Sequence, residues 1–277
     1  MCVGAFVKGQ GVIAFGYDSA TQKFGKDLPG NIGFQRFIKV LNFTSIVLLG
    51  NFNPAIYHPE WLEKFKILPI QEIQWAEGEK TEMKEIPYKN GTLVLKKIPP
   101  LMVTPDLTEL FFPSLRLTVN YERFECSTEE RRNFSLVKDV VIKIFSLLSH
   151  TPIKAVGINF HAHWKFKDPS DVILKNLFAK NDSAFQNSLG PDYHIGGTIW
   201  SIQKGVKSSL KIEKSNKLDN GVYIQANYHK DIETIQTEQP INFIQENYDD
   251  FINQFIEESK KILGDPEETW KMQQPKK

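Results

Sequence analysis

LRLTVNYERFECST, residues 115–128, and IKAVGINFHAHWKF, residues 153–166, are the two stretches that decide the predicted fold. Apolar and polar side chains alternate in both, which is typical of strands with one face on a core and the other at solvent. Between them, apolar residues recur every three or four positions from Phe134 to Leu148. That spacing predicts a helix with an apolar stripe. The sequence therefore predicts an antiparallel sheet with a helix packed on its apolar face.

The first stretch predicts a single half-buried strand from Leu115 to Ser127. Ser127 and Glu130 form a predicted capping box for the following helix, and Asn133 is an alternative N-cap one turn later. In the second stretch the predicted core face holds Val156, Ile158, Phe160, Ala162, Trp164 and Phe166. The opposite, polar face of that strand holds Asn159, His161, His163 and Lys165. This polar face is the first place to look for a binding site.

The sequence around these stretches predicts further elements. On the N-terminal side they are a buried strand at Ser45–Leu49, a helix at Pro59–Lys66, a polar loop at 76–91, and strands at Thr92–Lys97 and Leu101–Thr104. On the C-terminal side they are a helix at Asp168–Leu189, strands at His194–Gln203, Val206–Lys214 and Val222–His229, and a helix at Pro240–Leu263. The last three strands form a predicted antiparallel meander.

The order of these elements decides the predicted domain organisation. A strand, a helix, three strands and a long helix follow one another twice, in residues 41–150 and 151–264. Residues 1–40 are interpreted as an N-terminal extension or a hairpin, and residues 265–277 as a flexible tail. The predicted class is α+β, with antiparallel sheets covered by long helices. A further hypothesis is that the two βαβββα halves are related by pseudo-twofold symmetry.

Composition and charge narrow the class of protein. The 277 residues are 41% hydrophobic and 24% charged, with a formal net charge of +1, so composition gives no sign of a polyanionic partner or a membrane surface. Cys2 and Cys126 lie far apart, and the N-terminus lacks the order of a signal peptide. No apolar run approaches the length of a membrane span. We therefore expect a soluble, cytoplasmic protein.

Motifs for common catalytic chemistries are absent from the sequence. It contains no H-E-x-x-H, C-x-x-C, G-x-S-x-G or P-loop pattern. Cys126 has no partner motif and is predicted to be a buried structural thiol. The sequence therefore predicts no catalytic residue and no cofactor.

His161 and His163 form the one pattern typical of a metal site. Their alternation on a strand places both imidazoles on one side, about 6.5–7 Å apart along the chain. Such a pair can reach one ion, but a zinc site needs a third or fourth ligand, which no spacing in this sequence indicates. A metal-dependent enzyme centred on this pair is therefore one alternative function, and two solvated histidines are the plainer interpretation.

Lysines cluster on the hairpin of the predicted meander. The set comprises Lys204, Lys207, Lys211, Lys214 and Lys217. Glu213 and Asp219 dilute their charge, and few aromatic residues for base stacking lie nearby. Nucleic-acid binding is a second alternative function, and lysines that protect a sheet edge are the plainer interpretation.

Residues 44–263 resemble a sporadically distributed family of bacterial proteins of unknown function. The resemblance rests on a strand ending in Arg123-Phe124, on the long helix after it, on the strand AVGINFHAHW, and on a closing amphipathic helix. It implies a gene of mobile or defence type and supplies no catalytic residues. The family's strand after the helix is arginine-rich, whereas this chain has Asn159, His161 and His163 there.

A non-enzymatic protein-interaction protein is the function that we expect. Its predicted surface is the polar sheet face or an exposed sheet edge, and its predicted partner is another protein, with nucleic acid as the alternative. The candidate binding residues are Asn159, His161, His163, Lys207 and Lys211. No membrane partner is expected, and the sequence does not predict the oligomeric state.

Overall fold

The structure, a computed structural model, describes residues 3–7, 13–15, 43–69, 71–73, 83–88, 91–97, 101–190, 193–232 and 238–264. For residues 3–7, 13–15, 83–88 and 91–97 it describes the pairing of the backbone only. Within the described ranges, no helix combines the length and the apolar character needed to cross a membrane.

The described chain contains strands and helices in both halves. The strands are β1 (Val3–Val7), β2 (Ile13–Phe15), β3 (Phe43–Gly50), β4 (Met83–Tyr88), β5 (Gly91–Lys97), β6 (Leu101–Val103), β7 (Leu107–Phe111), β8 (Arg116–Asn120), β9 (Arg123–Thr128), β10 (Ile153–Lys165), β11 (Gly197–Gln203), β12 (Val206–Lys214) and β13 (Gly221–Asp231). The α-helices are α1 (Pro59–Lys64), α2 (Phe134–Leu147), α3 (Ser170–Phe178), α4 (Asp182–Leu189) and α5 (Glu238–Leu263). This mixture confirms the predicted α+β class.

Nine strands form one antiparallel sheet in the order β11-β12-β13-β10-β3-β9-β8-β7-β6. The long strand β10 lies near its centre and pairs with β13 on one side and β3 on the other. A second sheet has the order β2-β1-β5-β4. All strand pairs in the two sheets are antiparallel. Each pair is therefore either a hairpin or joins two strands that lie far apart in the sequence.

Helices α2 and α5 cover one face of the nine-stranded sheet. The apolar side of β10 packs there, and the Phe160 ring lies within 6.3 Å of the rings of Phe134, Tyr248 and Phe255. Tyr228 of β13 stacks on Phe251 of α5 with ring centroids 4.2 Å apart. All six residues predicted for the core face of β10 and its end are buried. The period-2 pattern of this strand therefore identified its core side correctly.

The prediction of a single strand at Leu115–Ser127 is wrong, because a tight turn at Tyr121-Glu122 divides the stretch into β8 and β9. Asn120 makes this turn, since its Oδ1 accepts hydrogen bonds from the backbone N–H groups of Glu122 and Arg123 at 3.0 and 2.8 Å. A side chain that bonds the backbone two or three residues ahead replaces the next ladder bonds and reverses the chain. The two strands then pair with each other.

The predicted capping box is also wrong. Ser127 lies inside β9 and pairs with Ser45, so it cannot cap α2. Asn133 does precede α2, but no side-chain cap bond forms there. Its Nδ2 instead donates to the carbonyl oxygen of Ser114 at 3.0 Å. The start of α2 is therefore held by a contact to the turn between β7 and β8 rather than by a side-chain cap.

Three further expectations need correction. The predicted polar loop at 76–91 contains β4, and β7 had no predicted counterpart. The predicted helix at Asp168–Leu189 is two helices, α3 and α4, because Asn181 interrupts it and accepts the N–H of Ala184 as the N-cap of α4. The meander of β11, β12 and β13 and the closing helix α5 are confirmed.

Candidate functional site

The face of the nine-stranded sheet opposite α2 and α5 carries the polar side of β10. Across the ladder, Tyr223 lies opposite His163, Gln225 opposite His161, and Asn227 opposite Asn159. No helix in the described ranges packs on this side, which we call the open face. In the half of the sheet from β11 to β3 it includes Thr198, Trp200, Ile202, Lys207, Ser209, Lys211, Glu213, Tyr223, Gln225, Asn227, His229, Asn159, His161, His163, Phe43, Ser45 and Val47.

A cavity of about 430 Å³ opens on this face around the two histidines. Its lining consists of Phe43, Glu129, His161, His163, Lys211, Glu213, Lys214, Asn216, Lys217 and Tyr223. The structure thus brings together three of the five predicted binding residues, namely His161, His163 and Lys211. We call it the imidazole cavity.

Ser215 determines the tautomer of His163. The Ser215 Oγ accepts the backbone N–H groups of Lys217 and Leu218 at 3.1 and 3.0 Å, which occupies both of its lone pairs. Its own proton then goes to His163 Nδ1, 2.8 Å away. His163 therefore carries its proton on Nε2 and offers a hydrogen-bond donor there.

Tyr223 determines the opposite tautomer for His161. The Tyr223 hydroxyl donates its one proton to Gln225 Oε1 at 3.2 Å, so it accepts from His161 Nδ1 at 3.1 Å. His161 is left with a lone pair on Nε2. Phe43 packs against this imidazole with ring centroids 4.6 Å apart and fixes its plane. The cavity therefore presents one imidazole donor and one imidazole acceptor.

Both imidazoles are neutral at physiological pH. Burial lowers the pKa of His161 from 6.5 to about 4, with a smaller contribution from the neighbouring His163. Burial likewise lowers the pKa of His163 to about 4, and the positive charge of Lys217 adds to the effect. Desolvation penalises the charged imidazolium more than the neutral ring, which is why both shifts are downward.

The predicted metal site lacks a third ligand in the part of the chain that the structure describes. No group of three or more His, Cys, Asp or Glu side chains able to hold an ion occurs among those residues. A metal bound by both Nε2 atoms would also need His163 to move its proton to Nδ1, where Ser215 already donates. Metal binding by His161 and His163 stays a prediction.

Asn159 lies on the open face but not in the cavity. Its Nδ2 donates to Ser45 Oγ at 3.1 Å, and its Oδ1 accepts from Asn227 Nδ2 at 2.6 Å. These bonds join β3, β10 and β13 side by side. Asn159 therefore contributes to the cohesion of the central strands.

Lys207 also lies away from the cavity. Its Nζ donates to Asp231 at 2.7 Å, and His229 bonds the same carboxylate at 2.9 Å. These two partners lower the pKa of Asp231 to about 2. Lys207 is thus part of an ion-pair network at the far end of β13.

Three of the five hairpin lysines are ion-paired. Lys207 pairs with Asp231 at 2.7 Å, Lys211 with Glu213 at 2.8 Å, and Lys214 with Asp171 at 2.7 Å. These pairs reduce the positive potential that phosphate binding requires. Nucleic-acid binding by this hairpin stays a prediction.

The exposed edge strand β11 was not among the predicted site residues. Its Trp200 and Ile202 side chains lie on the open face and are 74% and 73% exposed. A signal was present in the sequence, because GTIWSIQ contains two isoleucines and a tryptophan but no charge and no proline. Natural sheets usually protect an exposed edge strand with charged residues or proline, so the absence of both from β11 indicates a contact surface.

The sequence matches no family model and no curated protein. The resemblance to the bacterial family of unknown function therefore stays a prediction.

Proposed function

We propose that this chain is a protein-interaction protein that binds another protein on the open face. The observation that carries the proposal is the exposure of Trp200 and Ile202 on a sheet face whose other side chains are mostly polar. Tryptophan in particular is enriched at the energetic centres of protein interfaces. The imidazole cavity, with its donor on His163 and its acceptor on His161, lies on the same face and supplies polar contacts.

The charges of the open face support binding of a protein rather than a polyanion. Lys207 and Lys211 are each paired with a carboxylate of the same chain, and Arg123 pairs with Glu125 at 2.9 Å. A face whose charges are paired in this way offers apolar and hydrogen-bonding contacts without a strong field. Such a surface suits a partner with exposed apolar side chains and backbone polar groups.

Affinity capture with matched variants tests this proposal. Ser209→Arg/Gln225→Arg places two long charged side chains on the open face, where both residues are partly exposed. Asn242→Arg/Gln245→Arg adds the same charge to the exposed side of α5. A protein captured from source-cell lysate by the wild type and the α5 variant, but lost with the open-face variant, is the expected result. Equal capture by all three chains would remove the open face as the binding surface.

The expected site of this interaction is the cytoplasm of a bacterial cell. This expectation comes from the separated cysteines and the family resemblance. Fractionation of source cells with an antibody against the chain checks it. Recovery of the chain in a secreted or membrane fraction would contradict the cytoplasmic assignment.

Internal duplication with pseudo-twofold symmetry is the second part of the proposal. From the central pair β3–β10, the strands run outward as β3-β9-β8-β7 on one side and as β10-β13-β12-β11 on the other. Helix α2 follows β9, and α5 follows β13 in the same way. An experimental structure tests it by superposing residues 43–147 on residues 153–263. A rotation near 180° about an axis between β3 and β10 is expected, and a very different rotation would contradict the duplication.

A further inference from the structure

Strand β11 has one free side. It pairs with β12 alone and forms the end of the nine-stranded sheet. Every residue of the strand from Thr198 to Gln203 is exposed to solvent. The backbone groups on its outer side therefore have no strand partner among the described residues.

The turn between β11 and β12 shows which backbone groups point outward. Lys204 and Gly205 form a two-residue hairpin loop with positive φ values of 50° and 73°, which is typical of a type I′ turn. The pair that closes such a turn, Gln203 with Val206, exchanges both backbone hydrogen bonds. Pairs alternate along the ladder, so Thr198, Trp200 and Ile202 direct their N–H and C=O groups to the free side.

These three residues are symmetric about Trp200. In an antiparallel pair, two residues with outward-pointing groups can face each other and exchange both hydrogen bonds. If a second β11 approaches with a twofold axis at Trp200, then Trp200 faces Trp200 of the other copy. Thr198 of each copy then faces Ile202 of the other. Every outward N–H and C=O of the strand finds a partner in this register.

The charges around β11 permit this approach. The strand itself has no charged side chain. The neighbouring lysines of β12, Lys207 and Lys211, are each held by a carboxylate of their own chain. The two facing strands therefore bring no like charges opposite each other, which would otherwise oppose edge-to-edge pairing.

From this register we infer that two copies of the chain join edge to edge through antiparallel β11 strands, with the twofold axis at Trp200. The axis is perpendicular to the sheet, so both open faces lie on the same side of one continuous sheet. The two Trp200 rings lie next to each other there, between the Ile202 side chains. The inference goes beyond the proposed function, and the experiments below do not depend on partner binding.

Disulfide trapping tests the register. In the pairing, Ile199 faces Ser201 of the other copy in a non-hydrogen-bonded pair, whose Cα atoms are about 4.5 Å apart and within disulfide range. In a Cys2→Ser background, Ile199→Cys/Ser201→Cys should give a covalent dimer on mild oxidation. Ile199→Cys/Gln203→Cys should stay monomeric on a non-reducing gel, because Gln203 faces Gly197 instead. Equal cross-linking of both variants, or of neither, would overturn the register.

A charge pair tests the dimer itself. Thr198 and Ile202 are exposed, so charged substitutions there leave the core untouched. In the dimer, residue 198 of each copy faces residue 202 of the other copy. Thr198→Lys/Ile202→Lys therefore creates two lysine–lysine pairs, and Thr198→Lys/Ile202→Glu creates two lysine–glutamate pairs. Sedimentation equilibrium should show a dimer for the wild type and the Lys/Glu variant. The Lys/Lys variant should dissociate about tenfold more readily than the Lys/Glu variant, because it places like charges opposite each other in two cross-strand pairs.

Two outcomes would overturn the inference. One is a wild-type chain that is monomeric at all concentrations tested. The other is the same dissociation constant for the two charge variants, with unchanged circular dichroism. Partner capture is measured separately. Capture by Ser209→Arg/Gln225→Arg and cross-linking of β11 are independent readouts, so either proposal can fail while the other holds.

Discussion

At the scale of single residues, Ser215 links the loop after β12 to the imidazole cavity. Its hydroxyl accepts two backbone N–H groups of that loop and donates to His163. A buried hydroxyl with all of its hydrogen bonds satisfied contributes to stability and fixes the orientation of its neighbours. The donor that His163 offers to the cavity therefore depends on a residue outside strand β10.

Ser215→Ala should destabilise the chain by about 1–3 kcal/mol, because it leaves two backbone N–H groups and His163 Nδ1 without their partner. Urea unfolding measures the change in the free energy of unfolding. Ser208→Ala is the matched control, since the Ser208 hydroxyl bonds the exposed Ser201. The control should change stability by less than about 0.5 kcal/mol. Equal losses for the two variants would contradict the role of Ser215.

The two histidines should make stability depend on pH. Their folded-state pKa of about 4 lies below the ordinary value of 6.5, so the unfolded chain binds more protons between these values. Their contribution to the free energy of unfolding is complete above pH 6.5 and is lost as the pH falls toward 4. The loss is on the order of 1–3 kcal/mol for the two imidazoles together, because solvent in the cavity screens part of the effect.

Urea unfolding at a series of pH values measures this dependence. Carboxylates also titrate at the acid end, so the comparison is between wild type and His161→Gln/His163→Gln. The variant should lose less stability between pH 6.5 and 4.5 than the wild type does, because glutamine takes up no proton. Parallel curves for the two chains would show that these imidazoles are not the titrating groups.

The tautomers predict that the purified chain holds less than one equivalent of zinc or iron. His163 presents an Nε2–H rather than a lone pair to the cavity, and an N–H cannot ligate a metal. Elemental analysis of the wild type and of His161→Ala/His163→Ala checks this. One equivalent in the wild type that is absent from the double variant would instead establish the metal site that the His-x-His pattern suggests.

At the scale of elements, two glycines in strands have different surroundings. A Cβ on Gly157 of β10 would meet Asn227 at 3.5 Å and Val47 at 3.8 Å, which are ordinary contacts. A Cβ on Gly197 of β11 would lie 2.5 Å from the Phe178 ring of α3. Gly157 thus makes no close backbone approach, and the ladder irregularity in β10 lies near its start, between Ile153 and Ala155.

Gly157→Ala should therefore stabilise the chain by about 0.4–1 kcal/mol, because alanine has less backbone freedom to lose on folding. Gly197→Ala should destabilise it by about 1–3 kcal/mol, because the Phe178 ring has to move. Thermal unfolding of both variants beside the wild type measures the two changes. Changes of the same sign would contradict the contrast between these two positions.

At the scale of the whole molecule, strands β3 and β10 join the two halves of the chain in one sheet. Phe160 of β10 contacts Phe134 of α2 and also Tyr248 and Phe255 of α5. Tyr248 in turn bonds Thr44 of β3 at 3.0 Å. One core therefore contains residues from both halves, so we expect them to unfold together.

Phe160→Ala should lower the free energy of unfolding by about 3–5 kcal/mol. Unfolding of the nine-stranded sheet should remain one transition, because the Phe160 ring contacts both α2 and α5. Far-ultraviolet circular dichroism and tryptophan fluorescence should give the same midpoint. Leu189→Ala, at a side chain that is 67% exposed, is the control and should change stability by less than about 0.5 kcal/mol. Two separated transitions would show that the halves unfold independently.

The sequence by itself determined which side chains of β10 share a face. Alternation depends only on residues two apart along one strand, so Phe160 and Trp164 were placed in the core and His161 and His163 on the other side. The same local logic predicted the meander and the closing helix. It failed at Tyr121-Glu122, because the alternating pattern continues through a turn that Asn120 makes with its side chain.

Only the tertiary structure decided what surrounds the two histidines and which strand lies at the edge. Tyr223 and Ser215 reach His161 and His163 through the pairing of β10 with β13, across sequence separations of 62 and 52 residues. Many antiparallel pairings satisfy the same alternation, so sequence period alone does not specify strand partners or register. Those partners place Ser215 and Tyr223 next to the imidazoles, and among the described strands they leave Trp200 on an edge strand with one side unpaired.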